Sequence, residues 1–186
     1  MDTKNNILTI TSAFVALFLV YYYKSIGLLI LLFLTENIII GFFNVLRMAS
    51  CGQNPFGKII FIPFFIFHYG IFLIIYYLLI KFFLKWISES NTLNYESIST
   101  ILFFIIALIL INGIKFIIDE ISGNLKDKSP HEFTFRPYSK LILTTLSVIL
   151  GSLIYVGLKK QEFMLFFIVL LKLIIEIYSE NMRNET

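Results

Sequence analysis

The sequence is poor in the side chains that hold metal ions and form cross-links. It has one cysteine, Cys51, and two histidines, His68 and His131. A single cysteine excludes an intramolecular disulfide. A zinc site needs three or four histidine, cysteine or carboxylate ligands, and only one histidine, His68, lies inside an apolar segment. We therefore predict no metal site and no cofactor.

Charged residues are also scarce, at 15% of the 186 residues, whereas soluble domains average about 25%. Hydrophobic residues make up 58%, and the chain contains 21 Phe and 10 Tyr. A soluble domain of this size could not bury so much aromatic area, whereas lipid tails can cover it. The net charge of +3 is small and dispersed, so no nucleic-acid partner is expected. These proportions favour an integral membrane protein surrounded by a lipid bilayer.

Six apolar segments are long enough to cross a bilayer, which takes about 20 residues. Several are apolar nearly all the way round, unlike helices of a soluble bundle, and they lack the two-residue alternation of barrel strands. We predict an all-α polytopic transmembrane bundle of about six spans, forming one domain over residues 1–186. Pro63 is expected near the start of the third helix, where its missing N–H costs little. The predicted helices cover about 7–23, 26–48, 59–84, 98–119, 139–158 and 161–179.

Basic residues flanking the segments predict the orientation, because cytoplasmic loops are enriched in Lys and Arg. No clear cleavage site follows residues 7–23, so we expect this helix to be retained. With six helices both termini share one side, which holds eight basic residues against five. We expect a multi-pass cell-membrane protein with both termini and the polar loop 122–138 in the cytoplasm. The eight are Lys4, Arg47, Lys58, Lys126, Lys128, Arg136, Lys140 and Arg183, and the five are Lys24, Lys81, Lys85, Lys159 and Lys160.

Polar residues inside the apolar segments are costly in hydrocarbon and usually face a bundle interior or a wet cavity. Glu36, Asn44 and Arg47 share a broad face of the second segment, since Glu36 and Arg47 differ by about 20° at 100° per residue. Glu36 and His68 each lie roughly 15 Å from the basic end of their segment, at a rise of about 1.5 Å per residue. The sequence therefore predicts that Glu36 and His68 lie at a similar depth, near the middle of the bilayer.

We hypothesise a polar cavity between the second, third, fourth and sixth segments, open towards the cytoplasm. Two other interpretations stay open. The charged residues can extend to the interface, with Lys115 and Asp119 neutralising one another, and the asparagines can link helices by hydrogen bonds. The candidate cavity residues are Glu36, Asn44, Arg47, His68, Asn112, Lys115, Arg136 and Lys172.

Four groups of residues resemble a known family. The more specific groups are Glu36-Asn37 with Gly41, Asn44 and Arg47, and Ile62-Pro63-Phe64-Phe65 followed by His68-Tyr69-Gly70 and Phe72. The weaker ones are Arg136-Pro137-Tyr138 with Gly151, and Lys172. Together they resemble an uncharacterised family of six-helix prokaryotic integral membrane proteins, named only as a domain of unknown function. The resemblance implies a membrane location and no particular activity. It marks as candidates Glu36, Asn44, His68, Tyr138 and Lys172.

The sequence leaves three classes of function open. A non-catalytic membrane subunit or scaffold suits the small size, with other membrane protein subunits as its partners. The main alternative is a transporter or binding protein for a small solute or protons, with Glu36 and His68 in its cavity. The third is an enzyme acting on a lipid-linked substrate, with Glu36 or His68 as general base and Arg47 and Arg136 holding phosphate. An intramembrane protease is disfavoured, because Phe64 and His68 match an FxxxH element but no EExxxR element is present.

Overall fold

The computed structural model describes residues 26–87, 95–158, 160, 163–171 and 174. All regular secondary structure in these ranges is helical, which confirms the all-α prediction. Residues 163–171 form a helical segment at the end of the described chain. The other described helices are α1 (Ile26–Ser50), α2 (Pro55–Ile87), α3 (Tyr95–Ile121), α4 (Pro130–Thr134) and α5 (Arg136–Leu158).

Four stretches of the described chain are long and apolar enough to cross a membrane. This supports the predicted membrane class. The number of six spans stays a prediction, because residues 7–23 lie outside the described residues and 161–179 are described only in part. The four stretches are Leu29–Ser50, Pro55–Phe82, Leu102–Ile121 and Pro130–Tyr155.

The central helix is α1, which packs against α2, α3, α4 and α5. Over its most apolar window α1 is 56% buried, whereas α2 and α3 are only 17% and 11% buried. Their outer faces carry large apolar side chains such as Phe67 and Phe103, which are 73% and 71% exposed. Lipid tails are a suitable surrounding for such a surface, and the helices satisfy their own main-chain hydrogen bonds there.

Two apolar clusters hold the helices together. The larger one joins α1, α2, α4, α5 and the 163–171 segment, with Phe33, Phe65 and Phe133 among its fully buried side chains. The smaller one joins α1 to α3 through residues that include Phe43 and Phe104. Among the described helices α3 packs against α1 and contacts neither α2 nor α5. Phe116 of α3 packs against both clusters, so the α1–α3 interface adjoins the larger core.

The second predicted loop is shorter than expected, because α2 begins at Pro55 rather than near residue 59. The side-chain oxygen of Asn54 accepts a hydrogen bond of 2.9 Å from the N–H of Gly57, which caps the first turn. Pro55 occupies the first helical position, where its missing N–H costs little. The expectation that Pro63 lies near the helix start was therefore wrong. Pro63 is inside α2, where it cannot donate to the carbonyl of Ile59.

The predicted loop 122–138 is not wholly a loop. Ser129 caps α4 in a capping box, with its main-chain N–H donating to the Glu132 carboxylate at 2.9 Å. Phe133 and Thr134 of α4 are buried, and α5 begins at Arg136 instead of residue 139. The polar composition of this stretch predicted a loop, whereas the structure has a short helix there that packs into the bundle.

The α1–α2 turn pairs with the chain that follows α3. The N–H of Gly52 donates to the carbonyl of Leu125 at 3.1 Å, and the N–H of Gln53 donates to that of Lys128 at 3.3 Å. A Cβ atom at position 52 would collide with the main-chain oxygen of Lys126, so the approach requires glycine. These bonds hold both connections at the same end of the bundle.

Candidate polar site between α1, α2 and α5

The site is centred on Glu36, which lies in the middle of α1 and is only 4% exposed. Glu36 lies ten residues after the start of α1 and fourteen before its end, or roughly 15 Å and 21 Å along the axis. The Nζ atom of Lys140 in α5 lies 3.3 Å from Oε1 of Glu36. A carboxylate inside the bundle thus has an ammonium partner from another helix, as a buried charge requires.

Lys140 connects this interior to the surface. Its side chain is 34% exposed, whereas the Glu36 side chain is 5% exposed. A lysine carries its charge on a flexible four-carbon stem, which can cross an apolar layer while its head remains near water. The ion pair therefore joins an enclosed carboxylate to a partly exposed lysine.

Two tyrosines of α2 complete the wall of the site. The Tyr69 ring lies 5.4 Å from that of Tyr138 in α5, and Tyr76 follows Tyr69 by two turns on the same face of α2. The Tyr69 hydroxyl donates to the main-chain oxygen of Asn37 at 3.0 Å. The hydroxyl of Tyr76 is buried and has no hydrogen-bond partner within the described structure. Gly41 makes room for the Tyr69 ring, since a Cβ atom there would lie 2.5 Å from Cε1 of Tyr69.

Asn37 contributes a second buried oxygen without a partner. Its Nδ2 atom donates to the main-chain oxygen of Phe33 at 2.8 Å. A carbonyl only accepts hydrogen bonds, so this contact fixes the amide with its nitrogen towards Phe33 and its oxygen elsewhere. The Oδ1 atom is buried and makes no hydrogen bond to any described residue. An unsatisfied buried polar atom costs about 1–3 kcal/mol and calls for a specific explanation.

His68 of α2 lies beside the start of α5. Its Nδ1 atom and the hydroxyl of Tyr138 share a hydrogen bond of 2.8 Å. The imidazole stacks on Phe64 at 5.2 Å between ring centroids, and Phe72 contacts it edge-on. Because Tyr138 and Lys140 lie in the same turns of α5, the structure brings both Glu36 and His68 to this helix. The expected similar depth of Glu36 and His68 in the bilayer stays a prediction.

Asn44 and Arg47 lie nearer the end of α1 and have other partners. Asn44 Nδ2 donates to the main-chain oxygen of Phe133 in α4 at 2.9 Å. The Nε atom of Arg47 lies 2.9 Å from Oδ2 of Asp119 in α3. The broad polar face predicted for α1 therefore spreads its contacts over three neighbouring helices.

The remaining candidates fall outside the Glu36 cluster or outside the described chain. Asn112 donates to the carbonyl of Leu108 in its own helix, and Lys115 shares that helix, α3, which does not contact α2 or α5. Arg136 is exposed, and its guanidinium lies 4.5 Å from the ring centre of Phe133. Lys172 lies outside the described residues. A single cavity that includes all eight candidates stays a prediction.

Sequence reasoning missed several residues of the cluster. Lys140 entered the sequence analysis only as one of the basic residues that predict the orientation, at the start of the helix predicted over 139–158. The earlier start at Arg136 brings Tyr138 into α5 and places Lys140 in the second turn of that helix. Tyr138 had been marked only by the family resemblance. Asn37 beside Glu36 was a detectable signal, whereas nothing in the apolar run of α2 distinguished Tyr76.

The donor set of the site is mostly oxygen. No group of three or more His, Cys, Asp and Glu side chains comes together in the described parts of the chain. Transition-metal sites are built from such groups, whereas carboxylate, amide and hydroxyl oxygens suit hard cations and polar solutes. The site can therefore hold charge and hydrogen bonds without a cluster of metal ligands.

The fold and the site define the class of protein, over the residues that the structure describes, as a helical protein with several membrane-crossing candidates and an ion pair whose carboxylate is buried. The chain belongs to a family of unknown function, DUF6498, whose family model matches residues 1–185. The resemblance to an uncharacterised family is thereby confirmed, while the six helices and the prokaryotic origin stay predictions. No curated protein and no solved structure matches the chain. The function has to be inferred from the polar site itself.

Proposed function

We propose that this protein binds a small polar solute within the bilayer, as a transporter or membrane receptor does, with Glu36 and Lys140 at the centre of its site. The single observation that carries the proposal is the ion pair between an enclosed carboxylate and a partly exposed ammonium. His68 and Tyr138 form the adjoining wall. We further propose that the chain is a multi-pass protein of the cell membrane, with both termini and the exposed side of Lys140 towards the cytoplasm.

Stability alone is a weak reason to keep this ion pair. Replacing a buried ion pair by well-packed apolar side chains is often neutral or stabilising, by about 1–4 kcal/mol, because burial removes the hydration of a charge, as it does for Glu36. Ionisable side chains inside membranes usually mark pathways or binding sites for substrates, ions or protons. The geometry supports the same reading, since the exposed part of Lys140 gives the enclosed Glu36 a route to the surface.

A second candidate is a non-catalytic membrane subunit, favoured by the polar contacts that join helices. Asn44 ties α1 to α4, and Arg47 ties α1 to α3 through Asp119. Such contacts hold a bundle together without any ligand. They lie towards the end of α1, away from Glu36, so both functions are compatible with the same fold.

Native mass spectrometry of the protein extracted with its surrounding lipid tests the proposal. We expect a single chain that retains a small polar molecule or ion, and we expect Glu36→Gln to release it. The matched control is Glu120→Gln, which neutralises an exposed carboxylate of α3 and should leave the bound molecule in place. A wild-type chain that retains no small molecule but co-purifies with a stoichiometric protein partner would contradict the proposal and favour the subunit.

A further inference from the structure

The Glu36 site contains more oxygen than its own contacts use. The Oδ1 atom of Asn37 and the hydroxyl of Tyr76 are both buried, with these residues 2% and 1% exposed, and neither has a hydrogen-bond partner in the described structure. Asn37 follows Glu36 on α1, and Tyr76 lies on the face of α2 from which the Tyr69 hydroxyl donates to the main-chain oxygen of Asn37. Two buried oxygen atoms without hydrogen-bond partners thus accompany the negative charge of Glu36.

The chemistry of these groups limits what they can bind. The amide oxygen of Asn37 only accepts hydrogen bonds, and the carboxylate of Glu36 also only accepts when ionised. A bound group must therefore donate hydrogen bonds or carry positive charge. An anion or a pure acceptor would leave the Asn37 oxygen unsatisfied and would be repelled by Glu36.

The charge of the site favours a monovalent cation. Glu36 supplies one negative charge, and an unbalanced charge is costly away from water. Calcium takes six to eight oxygen ligands, usually with several carboxylates, and magnesium keeps much of its water. A sodium, potassium or primary ammonium ion needs only one countercharge and takes carboxylate, amide and hydroxyl oxygens.

A cation of this kind already lies beside Glu36, since the ammonium of Lys140 is 3.3 Å from Glu36 Oε1. We infer that Glu36, Asn37 and Tyr76 form a site for a small monovalent cation, and that the Lys140 ammonium is a tethered competitor for it. A cation that enters displaces the Lys140 ammonium, whose partly exposed side chain moves towards the surface. The inference rests on the proposed function and names the class of solute.

The inference is tested by thermal unfolding of the full chain in detergent with sodium, potassium, ammonium or methylammonium chloride. N-methyl-D-glucamine chloride replaces these salts in the reference sample, which keeps the ionic strength constant. Its cation is too bulky to fit between helices and should not bind. We expect at least one small cation to raise Tm by about 5 °C when it reaches roughly 100 times its dissociation constant. The separate salts show whether the occupant is an alkali ion or an ammonium group.

The variants are expected to act in opposite directions. Glu36→Gln should abolish the shift, and Tyr76→Phe should weaken binding about tenfold, because the cation loses one oxygen ligand or, for an ammonium ion, one hydrogen-bond acceptor. Lys140→Met should tighten binding about tenfold or more, because it removes the competitor. Tyr77→Phe is the matched control, since Tyr77 is 43% exposed and its change should leave binding unaltered. Tyr76→Phe and Lys140→Met provide the test if Glu36→Gln does not fold.

The outcomes separate this inference from the proposed function. If no cation shifts Tm but a neutral or anionic solute binds in a Glu36-dependent manner, the cation assignment is overturned and the proposed function stands. A shift that survives in Glu36→Gln, or a Lys140→Met variant that binds the cation more weakly, also overturns it. If wild-type protein binds no solute of any kind, both fail.

Discussion

Asn44 Nδ2 donates a hydrogen bond of 2.9 Å to the main-chain oxygen of Phe133, across 89 positions of sequence. Both residues are buried, and Phe133 belongs to the short helix α4 that the polar sequence around it concealed. The contact fixes α4 against the central helix. It therefore also fixes the start of α5, which follows α4 after one residue and carries Tyr138 and Lys140.

We expect Asn44→Leu to destabilise the protein by about 1–3 kcal/mol, because it leaves the buried oxygen of Phe133 without a donor. The matched control is Asn112→Leu, which removes an amide that donates within its own helix to Leu108. Thermal unfolding in detergent should show a clearly larger loss for Asn44→Leu. Equal losses would mean that the α1–α4 contact has no special weight.

The ion pair of Arg47 with Asp119 should contribute less. The two side chains are 15% and 36% exposed, so surrounding water and headgroups screen their attraction. We expect a double-mutant cycle with Arg47→Ala and Asp119→Ala to give a coupling free energy of about 0.5–1 kcal/mol. The pair Arg47→Ala and Glu120→Ala serves as control and should be additive. A coupling free energy of zero would contradict the prediction that the Arg47–Asp119 ion pair stabilises the contact between α1 and α3.

Hydrophobicity made the helices of this chain predictable, because a bilayer leaves few ways to satisfy a backbone. The second, third, fourth and fifth segments all appear as helices, with boundaries within a few residues of α1, α2, α3 and α5. The exceptions are physical. The helix α2 begins earlier than predicted because Asn54 caps it and Pro55 occupies its first position. The short helix α4, capped by Ser129, lies in a stretch predicted to be a loop.

The candidate site was predictable only in part. Glu36 and His68 stood out because a charge or an imidazole is costly at depth in hydrocarbon. Their partners were harder to recognise, since lysines such as Lys140 are usual at the membrane interface and tyrosines are common in this chain. Tertiary packing decides which helices come into contact. The helical spacing of α1 alone could not show that Arg47 contacts α3 whereas Glu36 contacts α5.

Close packing of α1 and α2 around the site should make Gly41 sensitive to substitution. A Cβ atom there would lie 2.5 Å from the ring of Tyr69, which is itself held by its bond to Asn37. We expect Gly41→Ala to lower the free energy of unfolding by about 1–3 kcal/mol. Gly70→Ala is the control, because no atom lies within 4 Å of the Cβ position at residue 70, and alanine favours the helix by up to about 1 kcal/mol. Two variants of equal stability would argue against a tight α1–α2 contact.

Cys51 lies at the loop end of α1, buried at 1% exposure, and its thiol donates to the carbonyl of Arg47 at 3.3 Å. Burial raises the pKa of the thiol above 9.0, and although Lys58 acts in the opposite direction, burial has the larger effect. The folded chain therefore keeps the thiol proton to a higher pH than the unfolded chain does. Stability linked to this group is retained below pH 9.0 and falls as the pH rises through the folded value.

The same burial predicts slow chemical modification, because the thiolate is the reactive form and the sulfur is enclosed. We expect maleimide to label Cys51 at least about tenfold more slowly than a cysteine at Ser122, an exposed residue at the same end of the bundle. The control chain carries Ser122→Cys with Cys51→Ala, and both labelling rates are followed by mass spectrometry from neutral to alkaline pH. The Cys51 rate should rise towards the control only in denaturant, when both thiols become equally accessible. Rapid labelling of native Cys51 at neutral pH would show instead that the turn between α1 and α2 opens readily, and that its pairing with residues 125–128 does not hold that end of the bundle closed.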